Sequence, residues 1–146
     1  MLEVKIKKLD SKIDSLPKYE TDGSAGFDLK ARTDVNITIK PNEIKLVKTG
    51  LAFELPVGYE GQIRSRSGLA LKNGIFVLNS PGTIDSDYRG EVGIILDNFG
   101  NSDFVIVNGM RIAQMIISKY EKVNLVEVKE LQNTERGEGG FGSTGK

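Results

Sequence analysis

The densest chemistry lies between Asn79 and Glu91, which reads Asn-Ser-Pro-Gly-Thr-Ile-Asp-Ser-Asp-Tyr-Arg-Gly-Glu. Four ionisable groups, Asp85, Asp87, Arg89 and Glu91, fall within seven residues, beside Tyr88. Side chains two apart in an extended chain point the same way, so Asp85 and Asp87 could share a face. One such carboxylate, held near a water, can serve as a general base. A solvated turn would explain the charges alone, but Ile84 and Tyr88 are bulky and apolar for an exposed loop tip. Pro81-Gly82 signals a turn. With Val77, Leu78 and Val92 to Leu96 on either side, the segment is expected to be a hairpin.

Other constellations suit an anionic ligand. Arg64-Ser65-Arg66-Ser67-Gly68 places two guanidinium groups and two hydroxyls just before an expected helix start, where unpaired amides and the helix dipole favour anions. Its plain reading is a serine-capped helix with surface arginines. Gly109-Met110-Arg111-Ile112-Ala113-Gln114 opens a strand whose apolar pattern Arg111 and Gln114 interrupt, and an inward-pointing arginine needs a partner. Ala25-Gly26-Phe27-Asp28-Leu29 sets one carboxylate in an apolar stretch. Taken singly, Asp28, Arg111 and Gln114 read as structural residues.

The last eleven residues, Arg136 to Lys146, contain five glycines and one aromatic. Such a segment cannot bury enough to order itself, so its plain reading is a frayed terminus. Phe141 between glycines, beside Ser143, Thr144 and Lys146, reads instead as a flap that stacks on a planar group and wraps phosphates. The stretch from Gly140 to Lys146 imitates a phosphate loop. That motif requires a preceding strand, a following helix and a Ser or Thr after the lysine, so a P-loop nucleotidase is not expected.

Two absences narrow the chemistry. There is no Cys and no His, which removes thiolate nucleophiles, disulfides, zinc-thiolate sites and the usual imidazole base. Catalysis must therefore use carboxylate, Lys, Tyr or hydroxyl groups, and any metal is expected to be a hard cation held by oxygen. The formal net charge is zero, so no global field favours nucleic acid or an anionic membrane. No apolar run approaches the roughly 20 residues of a membrane helix. Met1 to Lys5 carries charges where a signal peptide needs its apolar stretch, so a cytosolic protein is expected.

The elements that must position these groups are strands. Leu2, Val4 and Ile6 alternate with polar residues, as do Val35, Ile37 and Ile39, and Leu51, Phe53 and Leu55 repeat the spacing. That is the period of a half-buried strand. Val92 to Leu96 and Phe104 to Val107 are nearly continuous and apolar, as expected of strands buried on both faces. Pro41-Asn42, Pro56-Val57-Gly58, Lys72-Asn73-Gly74 and Asn108-Gly109 punctuate them. One short helix is expected around Ser67 to Lys72, behind a serine cap. The chain of 146 residues fits one all-β domain, a sandwich, barrel or jelly roll.

Five segments together resemble the trimeric dUTPases. They are AGFDLKA from Ala25, RSGLA from Arg66, NSPGTIDSDYRGEV from Asn79, GMRIAQM from Gly109 and RGEGGFGSTG from Arg136. The match runs from Ala25 almost to the last residue, and five motifs in one order are highly specific. The resemblance implies a distorted jelly roll of the β-clip kind, with one short helix and a flexible Gly-rich C-terminal arm. It divides the chain into a β domain over residues 1–135 and a flap over 136–146, three chains building each active site in a homotrimer. It further implies Mg²⁺-assisted hydrolysis of dUTP to dUMP and pyrophosphate, which keeps uracil out of DNA and supplies dUMP for dTMP synthesis. Asp85 matches the catalytic aspartate that orients and deprotonates the attacking water. Tyr88 matches the ring beneath the deoxyribose, and Asn79, Gly82, Thr83 and Ile84 match the segment that holds the uracil edge in a tight pocket. Arg66, Ser67, Gly68 and Gln114 match phosphate contacts, and Asp28 the carboxylate reaching waters on the magnesium. Arg136, Phe141, Gly142, Ser143 and Thr144 match the closing flap. In this scheme Arg111 and Asp87 are structural.

Two positions depart from the family pattern. Ser65 stands where many relatives have proline, and Met110 where an acidic residue is frequent. A dCTP deaminase shares the fold and trimeric architecture, but carries an Arg-Ser-Ser run and a catalytic glutamate. Here Gly68 follows Ser67 and DSDYRGE is intact, which argues against deamination. The other class of function is a nucleotide-sensing module that has kept the fold and lost turnover.

Overall fold

The computed structural model describes residues 2–142. Eleven strands and one helix follow in order: β1 Lys5–Lys8, β2 Gly26–Lys30, β3 Ile37–Ile39, β4 Ile44–Lys48, β5 Leu51–Glu54, β6 Tyr59–Arg64, α1 Ser67–Asn73, β7 Ile75–Val77, β8 Gly82–Ile84, β9 Gly93–Asn98, β10 Phe104–Ile106 and β11 Arg111–Lys119. They form small antiparallel sheets, β2-β11-β6-β8, β4-β9-β7, β1-β5 and β10-β3. Sequence neighbours rarely pair, as expected of strands that switch between layers.

The alternating residues supply the core. Leu29, Ile39, Val47, Ile63, Ile75, Val77, Ile94, Leu96, Ile106, Ile112 and Met115 form one buried cluster. Each such side chain contributes roughly 1.5–3 kcal/mol relative to exposure. The apolar runs expected to be buried on both faces are not. In β9, Ile94, Leu96 and Asn98 are buried while Gly93, Ile95 and Asp97 are only half-buried, and Val105 in β10 is exposed. The second face of β9 borders a pocket described below, so its apolar residues serve two surfaces.

The expected helix is present over Ser67–Asn73 and ends on Gly74, a left-handed C-cap with φ +67°. A Cβ at Gly74 would lie 2.6 Å from the Gly100 amide nitrogen, so glycine is required there twice over. The expected serine cap is absent. Arg66 occupies the N-cap in an extended conformation and no side chain caps the helix. Ser67 is the first helical residue, while Ser65 accepts a hydrogen bond from the Val77 amide at 2.8 Å. None of the helices among the described residues is long and apolar enough to cross a membrane.

Arg32 ties the N-terminal segment to this frame. Its side chain is only 10% exposed and donates to Asp10 at 2.6 Å and to Asp34 at 2.9 Å. Lys12 reaches Asp34 at 2.9 Å. The Lys12 ammonium, then the Arg32 guanidinium, hold the Asp34 carboxyl down at about 2. A carboxylate lowered in the folded state stabilises above its unfolded pKa of about 3.9 and loses that contribution as pH falls toward the folded value. Melting temperature measured by circular dichroism should therefore fall more steeply between about pH 4 and pH 2 in the wild type than in Asp34→Asn. Equal slopes would show that the cluster does not contribute.

Candidate active site

The segment expected to be a hairpin has a more divided course. Its arms do pair, Val77 opposite Leu96 and Ile75 opposite Asn98. Between them the chain leaves that sheet. After a cis Ser80–Pro81 peptide, β8 joins β6, with Gly82 opposite Ile63 and Ile84 opposite Gly61. The connection therefore spans two sheets and encloses a pocket of about 210 Å³ between them. Asn79, Gly82, Thr83, Ile84, Asp85 and Tyr88 all line it, so the six residues singled out from this motif come together. Gly82 is buried, and a Cβ there would meet Asn79 Nδ2 at 3.2 Å and Ile63 Cβ at 3.3 Å. The Tyr88 amide donates to the Asp85 carbonyl at 3.2 Å, closing a turn that leaves Asp85 exposed. Arg89 folds back over that turn, donating to the carbonyls of Ser86 at 2.7 Å and Tyr88 at 3.1 Å. The Tyr88 hydroxyl donates to the Glu91 carbonyl at 3.0 Å.

A second group gathers where β2 and β11 run side by side, with Asp28 opposite Gln114. Asp28, with its side chain 17% exposed, receives Arg66 Nε on one oxygen at 2.9 Å and an Arg111 guanidinium nitrogen on the other at 3.2 Å. Arg111, read from the sequence as structural and as a candidate for pointing inward, pairs with Asp28 but lies exposed on the surface. Gln114 Nε2 donates to the Ser65 carbonyl at 2.9 Å, fixing the approach to α1. Ser67 and Gly68 stand exposed at the uncapped helix start, and no atom lies within 4 Å of where a Gly68 Cβ would be. Two guanidinium groups thus share a single carboxylate, and one of them, that of Arg66, adjoins the uncapped helix start in sequence.

The two groups do not share a cavity within one chain, since the pocket lining includes none of Asp28, Arg66 and Gln114. Of the expected flap, Arg136 turns back to the Gly139 carbonyl at 2.8 Å and Phe141 is wholly exposed. Gly142 is also exposed, and Ser143 and Thr144 lie outside the described residues. Sequence reasoning missed Ile63, Val77, Glu91, Val92, Gly93 and Ile95 as pocket walls. The signal for Gly93 and Ile95 was present as strand alternation, opposite the core residues Ile94 and Leu96.

Among the described residues no group of three or more His, Cys, Asp or Glu could hold a metal ion. That donor set does not fit an all-protein cage. A single carboxylate such as Asp28 suits only a hydrated hard cation whose other ligands are waters and substrate phosphates.

The dUTPase family model matches residues 14–145. Deoxyuridine 5'-triphosphate nucleotidohydrolase from Rickettsia bellii (strain OSU 85-389) is 61% identical over 143 residues, covering 98% of this chain and 95% of the relative. The protein of the same name from Rickettsia prowazekii (strain Madrid E) is 59% identical over 145 residues, covering 99% and 98%. Among solved structures, Staphylococcus bacteriophage 80alpha dUTPase with dUpNHpp superimposes with a TM-score of 0.89 at 28% identity, covering 99% of each chain. A dUTPase from phage phi11 of S. aureus, whose structure concerns coordination of a structural Mg(II) ion, shares the fold with a TM-score of 0.80 at 22% identity, covering 90% and 99%. Fold and site thus define a nucleotide hydrolase on a jelly-roll-like all-β frame with one short helix. The chain belongs to the dUTPase family.

Proposed function

We propose that the chain hydrolyses dUTP to dUMP and pyrophosphate, with a water attacking the α-phosphorus and the bond to the bridging oxygen of the leaving pyrophosphate breaking. The observation that carries this reading is the pocket itself, in which Asn79, Gly82, Thr83, Ile84, Asp85 and Tyr88 converge between two sheets. Asp85 at its rim orients the water and takes its proton, which is a carboxylate's role in a protein with no His. Tyr88 lies beneath the deoxyribose and leaves no room for a 2′-hydroxyl. Asn79 and the β8 backbone read the uracil edge, and the close packing at Gly82 excludes the thymine methyl.

Arg66, Ser67, Gly68 and Gln114 bind the triphosphate. Asp28 would hold Mg²⁺ through its waters, and the ion would neutralise charge on the phosphates. Phosphoryl transfer is mostly positioning and charge neutralisation, so arginines, one base and a cation suffice. The pocket volume of about 210 Å³ is below the roughly 300–1,000 Å³ of complete ligand sites. With the phosphate-binding group elsewhere on the chain, this supports an active site completed by other subunits of a homotrimer. Residues 136–146 are then the flap that closes over a neighbour's nucleotide, Phe141 stacking on uracil while Arg136, Gly142, Ser143 and Thr144 wrap the phosphates. In the cytosolic nucleotide pool this would keep uracil out of DNA and supply dUMP for dTMP synthesis.

The test is pyrophosphate release with Mg²⁺ from dUTP, dCTP, dTTP and UTP, with the nucleotide products identified. Turnover of dUTP alone to dUMP is expected. Ammonia release from dCTP would move the chain to the deaminases, and binding of dUTP without turnover would make it a sensor.

Gly68 allows a sharper check. Its missing Cβ meets nothing in the chain, and alanine in a helix is favoured over glycine by about 0.5–1 kcal/mol. Gly68→Ala should keep or raise the Tm while raising the KM for dUTP by about tenfold, the equivalent of roughly 1.4 kcal/mol. An unchanged KM would remove Gly68 from the phosphate site.

A further inference from the structure

We infer that Gly90 and Glu91 are positioning residues that fix the Tyr88 ring and thereby set how well the site distinguishes deoxyribose from ribose. The inference rests on the proposed place of Tyr88 beneath the sugar. Tyr88 is 44% exposed, so core packing does not choose its rotamer. A ring on a loop would otherwise be free to change rotamer, and a surface that moves cannot exclude a hydroxyl. Two contacts restrain it. The phenol donates to the Glu91 carbonyl at 3.0 Å. The ring also lies over Gly90, where an added Cβ would fall 2.3 Å from the phenol oxygen, 2.5 Å from Cζ and 2.8 Å from Cε2. Gly90 is not in the left-handed region, so its backbone does not demand glycine. The demand comes from the ring.

The Glu91 carbonyl is itself held firmly. The Glu91 carboxylate accepts the Gly50 amide at 2.9 Å on one oxygen and faces Lys48 Nζ at 3.3 Å on the other. The next residue is fastened to the same turn: the Val92 amide donates to the Leu51 carbonyl at 2.8 Å, and the Thr49 hydroxyl donates to the Val92 carbonyl at 2.7 Å. The turn itself is formed at Gly50, whose φ of +68° few residues but glycine adopt without strain. A continuous run of contacts therefore leads from the turn between β4 and β5, through Glu91, to the Tyr88 hydroxyl. Glu91 lines the pocket wall, but its carboxylate oxygens are engaged by the Gly50 amide and Lys48, so its part in sugar selection runs through the tyrosine.

The measurement is kcat/KM for dUTP and for UTP in the wild type, Gly90→Ala, Glu91→Ala, Glu91→Gln and Tyr88→Ala. Steric rejection of an added hydroxyl is worth on the order of 10²-fold, so displacing the ring should narrow the dUTP-to-UTP ratio by about tenfold. Gly90→Ala and Glu91→Ala are expected to do so. Glu91→Gln keeps an oxygen for the Gly50 amide and should restore most of the ratio. A poorly folded variant loses active enzyme equally for both substrates, so destabilisation alone leaves the ratio unchanged. If Gly90→Ala yields no folded protein, the Glu91→Ala and Glu91→Gln pair decides. A wild-type ratio in both Gly90→Ala and Glu91→Ala, with a reduced ratio in Tyr88→Ala, overturns the positioning role and leaves Tyr88 beneath the sugar. A wild-type ratio in Tyr88→Ala overturns the reading of Tyr88 and the positioning role with it.

Discussion

Replacing Asp85 by Asn should lower kcat for dUTP by about 10²–10⁴-fold, the range that a positioned general base contributes. The substitution keeps the size of the side chain, so the turn closed by the Tyr88 amide on the Asp85 carbonyl is undisturbed. What disappears is the group that can take a proton from water. Removing a negative charge beside a polyanion does not weaken its binding, so affinity for the imido analogue dUpNHpp should be unchanged or tighter. Single-turnover rates with dUTP and calorimetric titration with dUpNHpp separate the two quantities. If turnover persists within about threefold, Asp85 is not the base. A matching loss of analogue affinity would instead mean that the carboxylate shapes the pocket. In that event Asp87, on the same turn, becomes the next residue to change.

The second large effect concerns the C-terminal segment. A chain ending at Glu135 should assemble and melt like the full-length protein, because the described residues that it loses, 136–142, are exposed or half-buried and contribute nothing to the core cluster. Its kcat/KM for dUTP should nevertheless fall about 10–10²-fold, since stacking of one base on an aromatic ring is worth roughly 1–3 kcal/mol. Loss of Arg136 would add to this by removing one of the cations that face the triphosphate. Phe141→Ala in the full chain isolates the stacking part, and sedimentation of the truncated chain reports assembly. Full activity of the truncated protein would refute the flap. A loss of assembly would reassign the segment from closing the site to holding subunits together.

Much of this protein was legible along the chain, for reasons that differ by element. The all-β class followed from the alternation at Ile37 and Ile39 and at Leu51 and Phe53, which lie in β3 and β5. A period of two is a local property of an extended backbone, so no partner strand needs to be known. The exclusion of thiol and imidazole chemistry followed from composition alone, because neither Cys nor His is present. The six pocket residues from Asn79 to Tyr88 were legible because they fall within one short segment and their types are unusual together.

Other features belong to the tertiary structure. Alternation shows that Ile94 and Ile95 face opposite ways, but not that one side is core and the other a pocket wall. That depends on β8 leaving the β7–β9 sheet to pair with β6. The serine cap was expected from local preference, yet Arg66 took the N-cap position with its side chain reaching Asp28, 38 residues away. Arg111 meets the same carboxylate across 83 residues. The sequence by itself determined the period of the strands, the available catalytic groups and the family, because each is carried by residues close together or by type alone. Only the tertiary structure decided which strands pair, which faces are covered and which charges neutralise one another. Those outcomes depend on contacts between residues far apart in sequence, whose stability is set by packing around them.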